Sequence, residues 1–220
     1  MRNKKGLIAI FLILLILILD QWLKIWIKTN MSLGQSIPVS GDWFYIYFQE
    51  NPGMAFGTEF FNKLFLTLFR IAASVAIAIY IGKLTKRDTP LGLLLCISAI
   101  FAGALGNTID CVFYGKYFTD SYGQVAQFVS DGSGYAPWFY GHVVDMFYFP
   151  MIETTLPDWL PIWGGKDFVF FRYIFNIADS SVFMGSLCFL LFYRNYFSKN
   201  NNPQQTLRDS SEEAHPETLQ

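Results

Sequence analysis

Apolar residues in this chain gather into four long runs, separated by segments where polar and aromatic positions take over. The first, residues 6–28, reads GLIAIFLILLILILDQWLKIWIK. The others cover residues 62–82, 90–110 and 176–195. About 20 apolar residues cross a bilayer as a helix, so each run predicts a membrane-spanning helix. The first run follows MRNKK but has no small-residue cleavage site, and its apolar character resumes past Asp20, so a retained helix is expected rather than a signal peptide. Arg70 interrupts the second run. Between the runs lie residues 29–61 and 111–175. The stretch DWFYIYFQ is aromatic and β-favouring and predicts a short strand or hairpin. The stretch GHVVDMFYF predicts a short strand or a re-entrant piece at the membrane surface. Residues 111–175 form a long connection, rich in aromatics and broken by Gly and Pro, of the kind that is functional or partly ordered. Residues 198–220 are polar and expected to be a disordered tail after an integral membrane domain at 1–197.

Composition agrees with an integral membrane protein: 53% hydrophobic, 19% aromatic and only 15% charged. A net charge of −1 gives no case for nucleic acid. Three cysteines make no disulfide framework, and Cys96 and Cys188, within apolar runs, are expected to pack. Charge placement then orients the runs. Arg2, Lys4 and Lys5, then Lys83, Lys86 and Arg87, then Arg194 and Lys199, all fall on one side of a four-helix arrangement. That side is expected to be cytoplasmic, with both termini inside and residues 29–61 and 111–175 outside.

This orientation sets the depth of the polar residues inside the runs. Asp20 and Lys24 lie four apart in the outer half of the first helix, with Gln21 beside them. Asn107 and Asp110 lie three apart at the outer end of the third, and Asn176 and Asp179 at the outer end of the fourth. Each pair has a plain structural explanation. Asp20 and Lys24 read as an ion pair, Asn107 and Asn176 as hydrogen-bonding glue, and Asp110 as a cap or a partner of Lys24. Asp179 resists that explanation because no cation lies within four residues of it. So does Asp145, an acid flanked by apolar residues. Two carboxylates sharing a partly dry site cannot both ionise, so a meeting of these two would leave one shared proton and a pair able to activate water.

The ordered blocks DQWLK, ENPGMAFG, GALGNTID, GHVVD and FNIADS closely resemble those of the bacterial type II lipoprotein signal peptidases, over residues from about 15 to 185. The resemblance implies a mainly α membrane fold, four transmembrane helices with a small extracytoplasmic antiparallel sheet as a cradle. It implies an aspartic endopeptidase of the inner membrane that cuts diacylglyceryl-modified prolipoproteins just before the lipidated cysteine. Asp145 and Asp179 would be the catalytic dyad. Asn107 and Asn176 would position the dyad or substrate, Asp20 and Asp110 would support the site, and Asn51 and Gly53 would line the cradle. No cofactor or metal is implied, and a self-contained site gives no reason to require a partner chain.

The chain departs from that pattern in two places. Cys111 stands where an arginine is usual after GNxxD, and Lys24 or Arg172 is the expected substitute cation. Insertions at 116–140 and 150–173 lengthen the steps to GHVVD and to FNIADS, and their aromatics are expected to form lids or interface anchors. His142 is expected to be a surface or packing residue, with tuning of Asp145 as the other reading. Intramembrane acids also mark transporters and proton relays. A relay would place acids at several depths, however, whereas here the polar level is confined to one end.

Overall fold

A computed structural model describes residues 2–53, 63–87, 89–155, 157–159, 161, 165–194 and 196. The expected tail at 198–220 and the second half of the ENPGMAFG block lie outside the described residues. Helices α1 (Arg2–Asn30), α2 (Lys63–Lys86), α3 (Leu91–Ile109) and α5 (Ile177–Phe192) form a bundle in which α3 packs against the other three. The bundle's outward faces carry exposed Phe11, Ile18, Phe69, Phe183 and Leu191. An apolar surface of that extent is tolerable in lipid and not in water. Three helical stretches, Lys4–Asn30, Lys63–Lys86 and Leu91–Tyr117, are long and apolar enough to span a membrane. Helix α5 is shorter, with 16 residues or about 24 Å of rise, so the expected run 176–195 yields less helix than a full crossing at its usual thickness.

Three helices extend beyond the runs that predict them, α2 by one turn to Lys86. Helix α1 begins at Arg2 and ends at Asn30, with no Pro to break it and with Gly6, at the start of the apolar core, carried within it. The third helix was expected to stop at 110 but continues through a π-helical turn at Asp110–Tyr114 and a final turn, α4, at Gly115–Tyr117. Residues 111–117 therefore leave the connection and join the helix. Cys111 and Tyr114 are buried there, and the wider turn carries the Cys111 carbonyl to the Gly141 N–H, which donates at 2.8 Å. Single π turns of this kind recur at functional sites.

At the end of the bundle opposite Arg2 sits a four-stranded antiparallel sheet of order β1 (Ser36–Ser40), β2 (Phe44–Asn51), β3 (Val143–Tyr148), β6 (Ile174–Phe175). The expected hairpin and strand are both present in it. Its core contains Ile27 of α1, Met31 just beyond it, Phe48 of β2, Val144 and Met146 of β3, and Tyr114 and Phe118. Because strand side chains alternate, Val144 and Met146 pointing into this cluster turn Asp145 to the opposite face, toward α5.

The first insertion is a folded unit. Thr119 and Val129 N–H groups donate across it to Gln127 and Tyr117 carbonyls, and Tyr135 N–H returns to Phe118 O at 2.9 Å. Tyr117 stacks on Phe128 within it, and Trp138 meets Tyr117 and Phe113 of the π-helical turn edge-on. Lys28, fully buried at the end of α1, clamps this unit to the sheet by pairing with Glu50 and donating to Ser121 Oγ at 2.9 Å, with its ammonium over the Tyr135 ring. The second insertion forms a separate hairpin of β4 (Ile152–Thr155) and β5 (Asp167–Phe170).

Close approach of α3 and α5 depends on glycine. A Cβ added at Gly103 would lie 2.2 Å from the Ala178 carbonyl oxygen, and one at Gly106 would lie 2.8 Å from Asp20 Oδ2. In membranes, where no hydrophobic effect drives helices together, small residues that allow such contact supply much of the packing. Gly103→Ala is expected to destabilise the protein by about 2 kcal/mol or more, read as a lowered Tm in detergent, because the clash is with backbone and cannot be relieved by a rotamer change.

Candidate active site

Every polar residue expected near the outer helix ends converges beneath the sheet. Lys24 Nζ lies 2.9 Å from Asp20 Oδ2 and 2.7 Å from Asp110 Oδ2, and donates to Asn107 Oδ1 at 2.9 Å. All three charged groups are buried, with 1% exposure at most. Gln21 donates from Nε2 to Asp110 Oδ1 at 2.9 Å and to Asp20 Oδ2 at 3.1 Å, while Tyr114 O–H donates to Gln21 Oε1. Asp20 also accepts the Ala178 N–H at 2.9 Å, which ties α1 to the first turn of α5. Asp110 accepts the Val144 N–H at 3.3 Å, which ties α3 to β3. These acids therefore bind two elements to the bundle: the helix that bears Asp179 and the strand that bears Asp145.

Asn176 joins the two remaining carboxylates. Its Nδ2 donates to Asp145 Oδ1 at 2.7 Å and to Asn107 Oδ1 at 3.1 Å, and its Oδ1 accepts the Asp179 N–H at 2.8 Å. Asp179 Oδ2 accepts the Asn176 N–H in return, completing a capping box at the start of α5. Asn107 Nδ2 then donates to Asp179 Oδ1 at 2.7 Å. The N-x-x-D spacing of NIAD is a legible sign of this box, since a side chain at the cap and an acceptor three residues on satisfy each other's orphan N–H groups. The start of a helix also favours a carboxylate through the macrodipole. What makes Asp179 tolerable in an apolar run is thus its place at a helix N-terminus with two donors.

Asp145 is 3% exposed, and burial, reinforced by the charge of Asp179, pushes its carboxyl up to about 7. A proton near neutrality is therefore held on the β3 side of the pair, while Asp179 keeps donors suited to an anion. Beside Asp179 opens a cavity of about 480 Å³ lined by Phe171, Tyr173, Phe175, Ser180, Phe183 and Met184. Two of these residues, Phe171 and Tyr173, come from the end of the second insertion.

Other expected residues stand apart from this cluster. Asn51 ends β2 and accepts the Gly53 N–H on Oδ1 at 2.8 Å, and among the described residues no hydrogen bond joins either to the carboxylates. Gly53 has φ +79°, a conformation in which a side chain would be strained. The cation beside Cys111 is neither of the two expected. Lys24 is held by Asp20, Asp110 and Asn107, and Arg172 is exposed. Arg70 of α2 instead donates from Nη1 to Cys111 Sγ at 2.9 Å. Sequence reasoning missed it because only packing sets α2 beside α3 at this level. His142 bonds Glu50 Oε2 at 3.0 Å and not Asp145. Burial raises the Glu50 carboxyl, but the His142 hydrogen bond and the Lys28 charge outweigh it and hold the group at about 2.

Comparison with known proteins places the chain among relatives of one kind. The family model described as Signal peptidase (SPase) II matches residues 12–194. A lipoprotein signal peptidase of Porphyromonas gingivalis is 49% identical over 215 residues, covering 95% of each chain. That of Amoebophilus asiaticus is 38% identical over 179 residues, covering 78% of this chain and 71% of the relative. Two solved bacterial membrane enzymes share the fold. One has a TM-score of 0.55 at 25% identity, covering 89% of this chain and 92% of its own. The other has a TM-score of 0.56 at 26% identity, covering 84% and 93%.

Proposed function

This chain belongs to the signal peptidase II family, and we propose that it cuts diacylglyceryl-modified prolipoproteins before the lipidated cysteine with Asp145 and Asp179 as its catalytic pair. The observation that supports the aspartic mechanism is the single residue Asn176, whose side-chain Nδ2 donates to the Asp145 carboxylate and whose backbone N–H donates to that of Asp179. In the proposed cycle Asp179 removes a proton from water, and the water oxygen attacks the scissile carbonyl carbon. Asp145, protonated, hydrogen-bonds the carbonyl oxygen and supplies its proton as charge develops there. On collapse of the tetrahedral species Asp179 gives its proton to the departing cysteine nitrogen as the C–N bond breaks, and Asp145 takes back a hydroxyl proton as the carboxylic acid product forms, which restores the shared-proton pair.

The apolar cavity beside Asp179 suits the apolar signal peptide and acyl chains on such a substrate. The sheet end faces the cell exterior, on the charge distribution, and both termini face the cytoplasm. Helix α5 serves as a fourth span that begins below the surface, where its N-terminus holds the site. Asn51 and Gly53 line the substrate's path along the sheet, and the chain acts alone.

The test is cleavage of a purified diacylglyceryl-modified prolipoprotein by the purified protein. Release of the signal peptide is expected, and kcat/KM is expected to fall about tenfold per pH unit above about 7, as the pair loses the proton that Asp145 holds. A rate flat from pH 6 to 9 would refute the shared-proton mechanism.

A further inference from the structure

Two cations on α2 have no acid to answer them among the described residues. Arg70 is half-buried, and among the described residues its hydrogen bond goes to Cys111 Sγ, a weak acceptor that leaves most of a five-donor guanidinium unused there. Lys63 has a buried Nζ with no hydrogen-bond partner. The two residues are seven apart and so share a face of the helix, with Thr67 between them donating to Phe139 O at 2.9 Å. Glu50, the carboxylate whose charge reaches Lys63, is already engaged by Lys28, Ser121 and His142. Cations at a membrane protein's interface are costly to bury without counter-charge, so a site holding two of them is built for an anion that arrives from outside.

Its position identifies the source. A Cβ built on Gly53 would lie 3.7 and 3.8 Å from the guanidinium nitrogens, so Arg70 flanks the end of β2. Gln49 of the same strand pairs with Asp145. Four residues of extended chain separate Gln49 from Gly53, about 13 Å, which an extended substrate would cover in about four residues. An acid on the signal-peptide side would have to lie in the apolar segment, where an uncompensated charge is costly. We propose that Arg70 and Lys63 bind an acidic side chain of the precursor, about three to five residues beyond the scissile bond on the mature side. This rests on the peptidase reading above and makes the pair a specificity determinant for lipoproteins with acidic mature N-termini.

The test competes two diacylglyceryl-modified precursors in one reaction with the full-length protein in zwitterionic lipid. They differ only in Asp and Glu versus Asn and Gln at the third to fifth positions after the cysteine. The acidic substrate is expected to win by about tenfold in kcat/KM, and the ratio should shrink toward one as salt is raised. The same ratio should collapse in Arg70→Gln and in Lys63→Gln but persist in part in Arg70→Lys, which keeps the charge. Because both substrates meet the same enzyme, the ratio does not depend on how much of a variant folds, and the wild-type ratio with its salt dependence stands without any variant. Equal cleavage of the two substrates by the wild type would overturn the assignment and leave the peptidase intact, whereas cleavage of neither would overturn the peptidase. A preference that emerges only in Glu59→Gln would also overturn it, by giving the cations to this chain's own acid. So would a preference unchanged in the Arg70→Gln, Lys63→Gln double variant.

Discussion

Asp145→Asn and Asp179→Asn are each expected to lower kcat by about 10³-fold or more while the protein still inserts and folds. Either substitution removes the acid that shares a proton with its partner, and the remaining carboxylate alone cannot both take a proton from water and supply one to the carbonyl. Stability separates this outcome from misfolding, and for Asp145 the sign is distinctive. Its carboxyl titrates near 7 in the folded protein against an ordinary 3.8. The folded state thus holds a proton that the unfolded state releases, and the stability this brings is full below about 4 and lost as pH rises through 7. At pH 8 the native carboxylate is therefore a burden, and Asp145→Asn should raise Tm while abolishing cleavage. The gain is on the order of 4 kcal/mol at most, since about three pH units of displacement convert at 1.36 kcal/mol each. An asparagine keeps an acceptor for Asn176 Nδ2, so no hydrogen bond need be lost. Measured together, an inactive and stabilised Asp145→Asn supports the dyad, and an active one refutes it. A destabilised, inactive variant would show that Asp145 serves the fold instead.

Lys24→Met is expected to have the largest effect on stability, a loss of about 3–5 kcal/mol. The ammonium is fully buried and answers both Asp20 and Asp110, so its removal leaves two carboxylates in a dry site with no cation between them. Activity should fall too, by about 100-fold, through a longer path. Lys24 also holds Asn107 Oδ1, and Asn107 Nδ2 holds Asp179. A misplacement of about 1 Å in a reacting group costs a factor of that order. The double variant Lys24→Met, Asp110→Asn should recover part of the lost Tm, because one uncompensated charge is then gone. Thermal unfolding of the four members of that cycle, in detergent near pH 7, measures the coupling. A change within 0.5 kcal/mol for Lys24→Met alone would mean that the acids are served by water and not by the lysine.

Much of the site was legible before any coordinates. Asp20, Lys24, Asn107, Asp110, Asn176 and Asp179 stand out because polar groups in apolar runs are expensive, and their spacing of three or four fixes the face each pair shares. The level at which they meet follows from helix direction. Asp145 announced itself as an acid among apolar neighbours in a predicted strand. Other features left weaker traces. The NIAD capping box was readable from spacing alone, whereas the π turn at Asp110–Tyr114 has no sequence signature and arises where Gly141 docks on the Cys111 carbonyl. The aromatics of the insertion at 116–140 suggest a lid or interface anchor but not how it is ordered, because that order comes from contacts with Lys28 and Glu50, remote in sequence.

By itself the sequence determined the kind of protein, the helices and the depth of each polar group, because hydrophobic period and the cost of charge in lipid are local properties of a segment. Tertiary structure alone decided which of those groups touch. It put Asn176 between the two acids, gave Lys24 to Asp20 and Asp110 together, and set Arg70 of α2 against Cys111 in place of either expected cation. Pairing of this sort depends on how helices rotate and approach one another, at glycines such as Gly103 and Gly106, and no single segment carries that information.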